Sequence, residues 1–158
     1  MPELPEVEVL ARHLRCRLRG KVIQKVVVCR NKVLAGISES TFKRWLGGSQ
    51  FVGLSRRGKY LLFSLRRARD GRPFQMLGHL GMTGRMYLAE PDKPRPRHTA
   101  VILGLGRLNF IFEDTRYFGR LTLDTSPVKA LGPEPLTADF CPHQFRAALS
   151  RSRQAVKV

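Results

Sequence analysis

Apolar positions along this chain follow a helical period near the N-terminus and a shorter one beyond it. From Pro5 to Leu18, the residues Val7, Leu10, Ala11, Leu14 and Leu18 recur every three or four positions, the spacing that lines one side of an α-helix. Pro5 suits a first helical turn and Gly20 can end the helix, so an amphipathic helix is expected almost at the terminus. The β-branched run Lys21 to Cys29 predicts a strand, and Ser40 to Leu46 a short helix stopped by Gly47 and Gly48. Thereafter the apolar runs are short and separated by turn residues. They cover Phe51 to Ser55, Lys59 to Leu65, Pro73 to Leu80, Arg85 to Leu88, His98 to Leu103, Leu108 to Phe112 and Leu121 to Asp124. Such a series predicts a strand meander closed as a sandwich or flattened barrel. The expected class is α+β, mostly β.

The connections refine this picture. Gly104-Leu105-Gly106 joins two strand-like runs and lacks the third glycine and following helix of a dinucleotide loop, so it reads as a hairpin turn. Ala89 to Arg97 (AEPDKPRPR) is a Pro-rich basic loop, and Arg151 to Lys157 is a basic stretch. No internal repeat is present. A length of 158 residues suits one domain with a real core. Residues 1–150 are expected to form it, with 151–158 beginning a basic linker.

Charge narrows the partners. The 29 Lys and Arg against 12 Asp and Glu leave a net charge of +17, a field that draws polyanions. A nucleic-acid enzyme, an RNA-coating protein and a merely Arg-rich solvated surface all fit that balance. No stretch has the length of a membrane-spanning helix, and the N-terminus is not that of a signal peptide, so a cytoplasmic protein is expected. Cys16, Cys29 and Cys141 offer neither a disulfide framework nor a C-x-x-C metal pair. They read as reduced and mostly packed, and no metal or other cofactor is expected.

Chemistry is written most clearly at the N-terminus. Removal of Met1 before a residue as small as proline would leave Pro2 with a free secondary amine. An α-amine titrates at roughly 7.7–8.0, so part of it is nucleophilic near neutrality. Attack on a sugar C1′ gives a cationic iminium that acidifies the adjacent carbon, which permits elimination after base release. Glu3 and Glu6 could divide acid, base and charge-stabilising roles beside that amine, or simply cap the following helix. Lys59 with Arg56 and Arg57 could bind phosphate, or be a solvated strand edge.

MPELPEVE at 1–8, RRGKYLLF at 56–63, HLGMTGRM at 79–86, EDTRYFGRL at 113–121 and LGPEPL at 131–136 occur in order along the chain. Together they resemble the formamidopyrimidine-DNA glycosylases, the bacterial Fpg or MutM family. The resemblance implies the Fpg-type N-terminal catalytic fold, two sheets flanked by helices. It also implies a bifunctional DNA glycosylase and AP lyase that removes oxidised purines such as 8-oxoguanine and formamidopyrimidines, through a Schiff base on Pro2 followed by β- and δ-elimination. Glycine generally replaces Leu4 in the related Nei branch, which lacks the Met, Arg, Phe trio, so purines are expected rather than pyrimidines.

Carried over residue by residue, Pro2 is the nucleophile, Glu3 the acid that assists ring opening, Glu6 a supporting carboxylate and Lys59 a phosphate holder beside the lesion. Met82, Arg116 and Phe118 match the trio that fills the gap left by the everted nucleotide, with Arg116 toward the base opposite. Singly, Met82 in a Gly-flanked turn reads as filler and Phe118 as core; only the joint match makes them a site. His98 matches a phosphate contact, and Lys157 a basic residue of the interdomain linker. Thr115 and Tyr117 stand where Pro and Arg are common, and Tyr117 removes one possible phosphate contact. The expected partner is double-stranded DNA with an oxidised purine or abasic site, bound by a monomer in the bacterial cytoplasm. The family continues into a helix–two-turn–helix domain and a four-cysteine zinc finger, so residues 1–158 correspond to one wall of a DNA clamp. A DNA-binding module without activity is the second expectation.

Overall fold

The computed structural model describes residues 2–135 and 137–155. Two four-stranded antiparallel sheets face each other. One has the order β1-β6-β7-β5, built from Lys25–Val28, Thr99–Gly104, Asn109–Asp114 and Gly84–Ala89. The other has the order β2-β3-β4-β8, built from Gln50–Arg57, Tyr60–Arg66, Pro73–His79 and Arg120–Thr122. This is the α+β, mostly β class that the patterning predicts, with one correction to the meander. The chain leaves the second sheet after β4, completes β5, β6 and β7 in the first, and returns for β8. The Pro-rich loop after β5 carries the chain back along the sheet, so β5 pairs with β7 rather than with β6.

Helix α1, Leu4–Leu18, buries Val7, Ala11, Leu14 and Leu18 and leaves its charged side to solvent. The periodic stripe thus does what its spacing requires. The Arg15 guanidinium donates to Leu54 O at 2.7 Å, which pins the helix to β2. Between the sheets, Phe63 of β3 meets Phe110 of β7 edge-on with centroids 5.6 Å apart, and Phe51 meets Phe63 at 6.1 Å. These rings and Phe42, Phe112 and Leu61 are fully buried, so the core lies between the sheets and under α1.

The strand expected over Lys21 to Cys29 is shorter than its composition suggests. Ile23 donates to Ser49 O and Gln24 to Gly104 O, so the first half of the run switches between the sheets and only Lys25–Val28 joins β6. Helix α2, Glu39–Leu46, begins two residues after Ile37 because Ser38 accepts from Thr41 N at 3.2 Å as its N-cap. The expected hairpin at Gly104-Leu105-Gly106 is present, closed by Leu105 N to Leu108 O at 2.8 Å. Two helices, α3 at Ser126–Lys129 and α4 at Pro142–Arg151, have no counterpart in the patterning. Neither buries a residue, so neither carries the stripe that would announce it. The cysteines also differ from expectation, since Cys16 and Cys141 are exposed.

Candidate functional site

The start of α1, the β2–β3 turn, the β4–β5 connection and the β7–β8 loop meet at one end of the two sheets. At the helix start, the Glu3 N–H donates to Glu6 Oε2 at 3.0 Å. Glu6 therefore holds the backbone immediately after Pro2, and its side chain remains at the surface. The Glu3 carboxylate pairs with Lys59 Nζ at 3.0 Å, both groups partly exposed. Lys59 owes its place to a two-residue hairpin turn. Gly58 comes first with φ +56°, as a glycine-first tight hairpin requires, and Arg57 and Tyr60 close the pair.

Arg56 and Arg57 do something other than bind phosphate. The Arg56 side chain is only 3% exposed and pairs with Glu8 at 2.6 Å and Glu134 at 2.8 Å. Arg57 donates to Leu131 O and Gly132 O and reaches Glu134, whose carboxylate also accepts Gly58 N–H at 2.8 Å. Burial opposes charge on Glu134, but Arg56, the Gly58 N–H and Arg57 outweigh it and hold the carboxyl below its usual range. A phosphate would have to break these bonds, so the phosphate-binding expectation for Arg56 and Arg57 is corrected: they clamp the 131–135 segment onto the β2–β3 turn. A cavity of about 420 Å³ opens between them, lined by Leu4, Lys59, Tyr60, His79 and that segment.

His79 couples this cavity to the next loop. Its Nδ1 accepts Gly81 N–H at 3.1 Å, and its ring lies 4.9 Å from that of Tyr60. Burial, with Lys59 and Arg120 nearby, holds the imidazole below its ordinary pKa. Three residues on, Met82 stands on the turn that crosses to β5. Arg116 Nη1 approaches Met82 Sδ at 3.5 Å, and its guanidinium lies over the Phe118 ring at 5.3 Å. Met82 and Phe118 are each 44% exposed, so neither is the filler or core residue its type alone suggests. The three side chains that the resemblance groups are brought together, uncovered, on one surface.

One carboxylate organises that surface. Asp114 is fully buried and accepts from Thr83 Oγ1 at 2.5 Å, Arg116 N at 3.1 Å and Gly119 N at 2.7 Å. Burial alone would raise its pKa; the Thr83 hydroxyl and the loop N–H groups outweigh this and hold it below the usual carboxylate value. Between Arg116 and Phe118, Tyr117 adopts φ +54°, a conformation that costs a non-glycine residue about 1 kcal/mol or more. Arg120 steadies it by donating to Tyr117 O at 2.9 Å and Gly119 O at 2.8 Å. Gly81 is required opposite: with φ +63°, its added Cβ would stand 2.6 Å from Gly119 N. His98 borders the same loop, its carbonyl accepting Asp114 N–H at 3.0 Å and its ring 6.4 Å from Tyr117. Lys157 lies outside the described residues. Among those described, no cluster of three or more His, Cys, Asp or Glu could hold a metal ion, and no helix is long and apolar enough to cross a membrane.

Residues 1–121 match the formamidopyrimidine-DNA glycosylase N-terminal domain. The chain belongs to this family. It is 37% identical over 157 residues to the formamidopyrimidine-DNA glycosylase of Carboxydothermus hydrogenoformans, covering 99% of this chain and 57% of that protein. It is 41% identical over 165 residues to that of Moorella thermoacetica, covering 99% and 58%. The chain thus spans little more than half the length of these curated relatives. The Lactococcus lactis Fpg in complex with abasic-site DNA superposes with a TM-score of 0.87 at 32% identity, over 99% of this chain and 59% of that one. The same enzyme bound to DNA containing N7-benzyl-Fapy-dG gives 0.87 at 33%, over 99% and 58%. The Fpg-type fold is therefore shared along essentially the whole chain.

Asp114, Thr83 and Glu134 escaped the sequence reading. Asp114 left a signal, an acid at the end of an apolar strand and two residues before the backbone N–H it accepts, the pattern of an Asx turn. Glu134 lies within the LGPEPL motif, but its role was hidden because its partners are more than seventy residues away in the chain.

Proposed function

We propose that this chain supplies the catalytic half of a DNA glycosylase that removes oxidised purines and then cleaves the abasic strand. Its relatives carry that glycosylase name, and structural neighbours were solved with lesion or abasic-site DNA. The observation that carries the reading is the adjacency of two groups through one β-strand end. Tyr60 and His79 are register partners; Lys59 with Glu3 precedes the first, and Met82 with Arg116 and Phe118 follows the second.

An everted nucleotide leaves an unstacked hole that exposed apolar side chains can fill, while Arg116 can hydrogen-bond the orphaned base. The everted sugar would then lie toward Pro2, whose freed amine attacks C1′. Glu3, with Lys59 beside it, would serve as the acid for ring opening. Loss of the base leaves an iminium that supports β- and then δ-elimination. Lys59 and His98 would meet backbone phosphates, and Glu6 would keep the terminus in line.

Borohydride trapping on a duplex with an abasic site, followed by mass analysis of the cross-linked peptide, tests this reading. A reduced adduct on the Pro2 nitrogen is expected. Absence of any adduct, with Met1 removed and the fold intact, would leave a DNA-binding module without chemistry.

A further inference from the structure

A second set of cations faces the exposed trio from the segment between β1 and α2. The Arg30 guanidinium lies 5.8 Å from the centre of the Tyr117 ring, and Lys32 Nζ lies 5.9 Å from that of Phe118. Arg116 covers the same Phe118 ring from its own loop at 5.3 Å. Cations and aromatic rings therefore alternate along one edge of the molecule.

Arg30 and Lys32 are exposed, and among the described residues neither forms an ion pair. By contrast, Lys43 is paired with Glu39, Arg56 with Glu8 and Glu134, and Lys59 with Glu3. Arg30 gives one N–H to Cys29 O at 3.3 Å and reaches the Tyr117 hydroxyl, which leaves other donors of its five available. A ring attracts an exposed cation weakly, enough to bias where the side chain rests without neutralising it. Tyr117 is uncharged, and Arg30 brings a cation over it from a different segment.

We propose that Arg30 and Lys32 form a phosphate-binding edge for the duplex backbone flanking the inserted residues. This rests on the DNA-binding reading of the trio. Inserting Phe118 between bases draws the adjoining sugar-phosphate backbone toward the base of its ring, where Lys32 and, through Tyr117, Arg30 already stand. Such contacts carry no base information; they strengthen binding to any sequence and release counterions.

The test is the salt dependence of binding of the 158-residue chain to a duplex bearing a tetrahydrofuran abasic-site analogue. Each phosphate contact contributes roughly 0.9 to the slope of log affinity against log salt. Arg30→Gln with Lys32→Gln should reduce that slope by about two contacts' worth, with thermal unfolding and opposite-base preference unchanged. Adding Tyr117→Arg should restore about one of them. A folded double variant that keeps the wild-type slope overturns the assignment of Arg30 and Lys32 alone. Wild-type binding with no salt dependence overturns the DNA-binding reading and this edge with it.

Discussion

The Thr83 hydroxyl donates to Asp114 Oδ1 at 2.5 Å, joining two connections that each cross between the sheets. Met82 precedes Thr83, and Arg116 and Phe118 follow Asp114, so this bond fixes the spacing of the three exposed side chains. Asp114→Asn should destabilise the fold by about 2 kcal/mol, since it weakens charge-assisted bonds to a buried carboxylate. Thr83→Val should cost about 1 kcal/mol. In urea unfolding, the double variant should lose less than the sum; strictly additive losses would mean the loops are held independently.

Removing Glu134 should be costly for a different reason. In Glu134→Ala the almost fully buried Arg56 keeps Glu8 alone and Gly58 N–H loses its acceptor. A loss of about 3 kcal/mol is expected from a buried charge left half-compensated, read as a lower denaturant midpoint at unchanged slope. A change below about 0.5 kcal/mol, the size of an exposed pair, would show that the clamp contributes little.

At the site, Pro2→Gly should fold normally and lose most lyase turnover. Glu3→Gln should slow base release by about 100-fold, the lower range for loss of a general acid. Arg116→Ala should mainly erode opposite-base preference, by about 1–3 kcal/mol, measured by comparing excision opposite each base. Wild-type behaviour in any of these variants removes that residue from its role.

Acid should weaken the fold in two stages. His79 has a folded pKa below its ordinary value of about 6.5, so the unfolded chain binds its proton first. Its contribution is complete above about pH 6.5 and is lost as pH falls toward the folded value. His79→Gln should flatten that part of the stability profile, and an imidazole titrating at or above 6.5 by NMR would contradict it. Asp114, Glu8 and Glu134 are likewise depressed, so their contributions persist at neutrality and disappear only below the ordinary carboxylate range of about 4.

The helix α1, all eight strand positions (β1 shorter than expected) and the trio were legible because each depends on local period or on a contiguous motif. Val7, Ala11, Leu14 and Leu18 announce their burial by spacing alone. Phe118 was legible only jointly, since an exposed phenylalanine and a core one look alike in isolation. What stayed hidden depended on distance along the chain. Arg56 reads as free positive charge until Glu8 and Glu134 converge on it, and Asp114 reads as a turn residue until Thr83, thirty-one positions earlier, arrives beside it at the start of the paired strand β5. Helix α4 was missed because nothing in it is buried.

The strand directions also divide the molecule into a constrained end and a permissive one. The Gly58–Lys59 turn, the β4–β5 and β7–β8 crossings and the residue preceding β6 all lie at the first. The 67–72 connection and the 105–108 hairpin lie at the other, away from every group assigned a role above. Lengthening either of those turns changes no spacing among Glu3, Lys59, Met82 and Arg116, whereas a single added residue between His79 and Gly84 misaligns them all. Length variation among natural versions of this domain should therefore accumulate at the far end, which is also where a tag or fluorophore can be inserted without disturbing the chemistry.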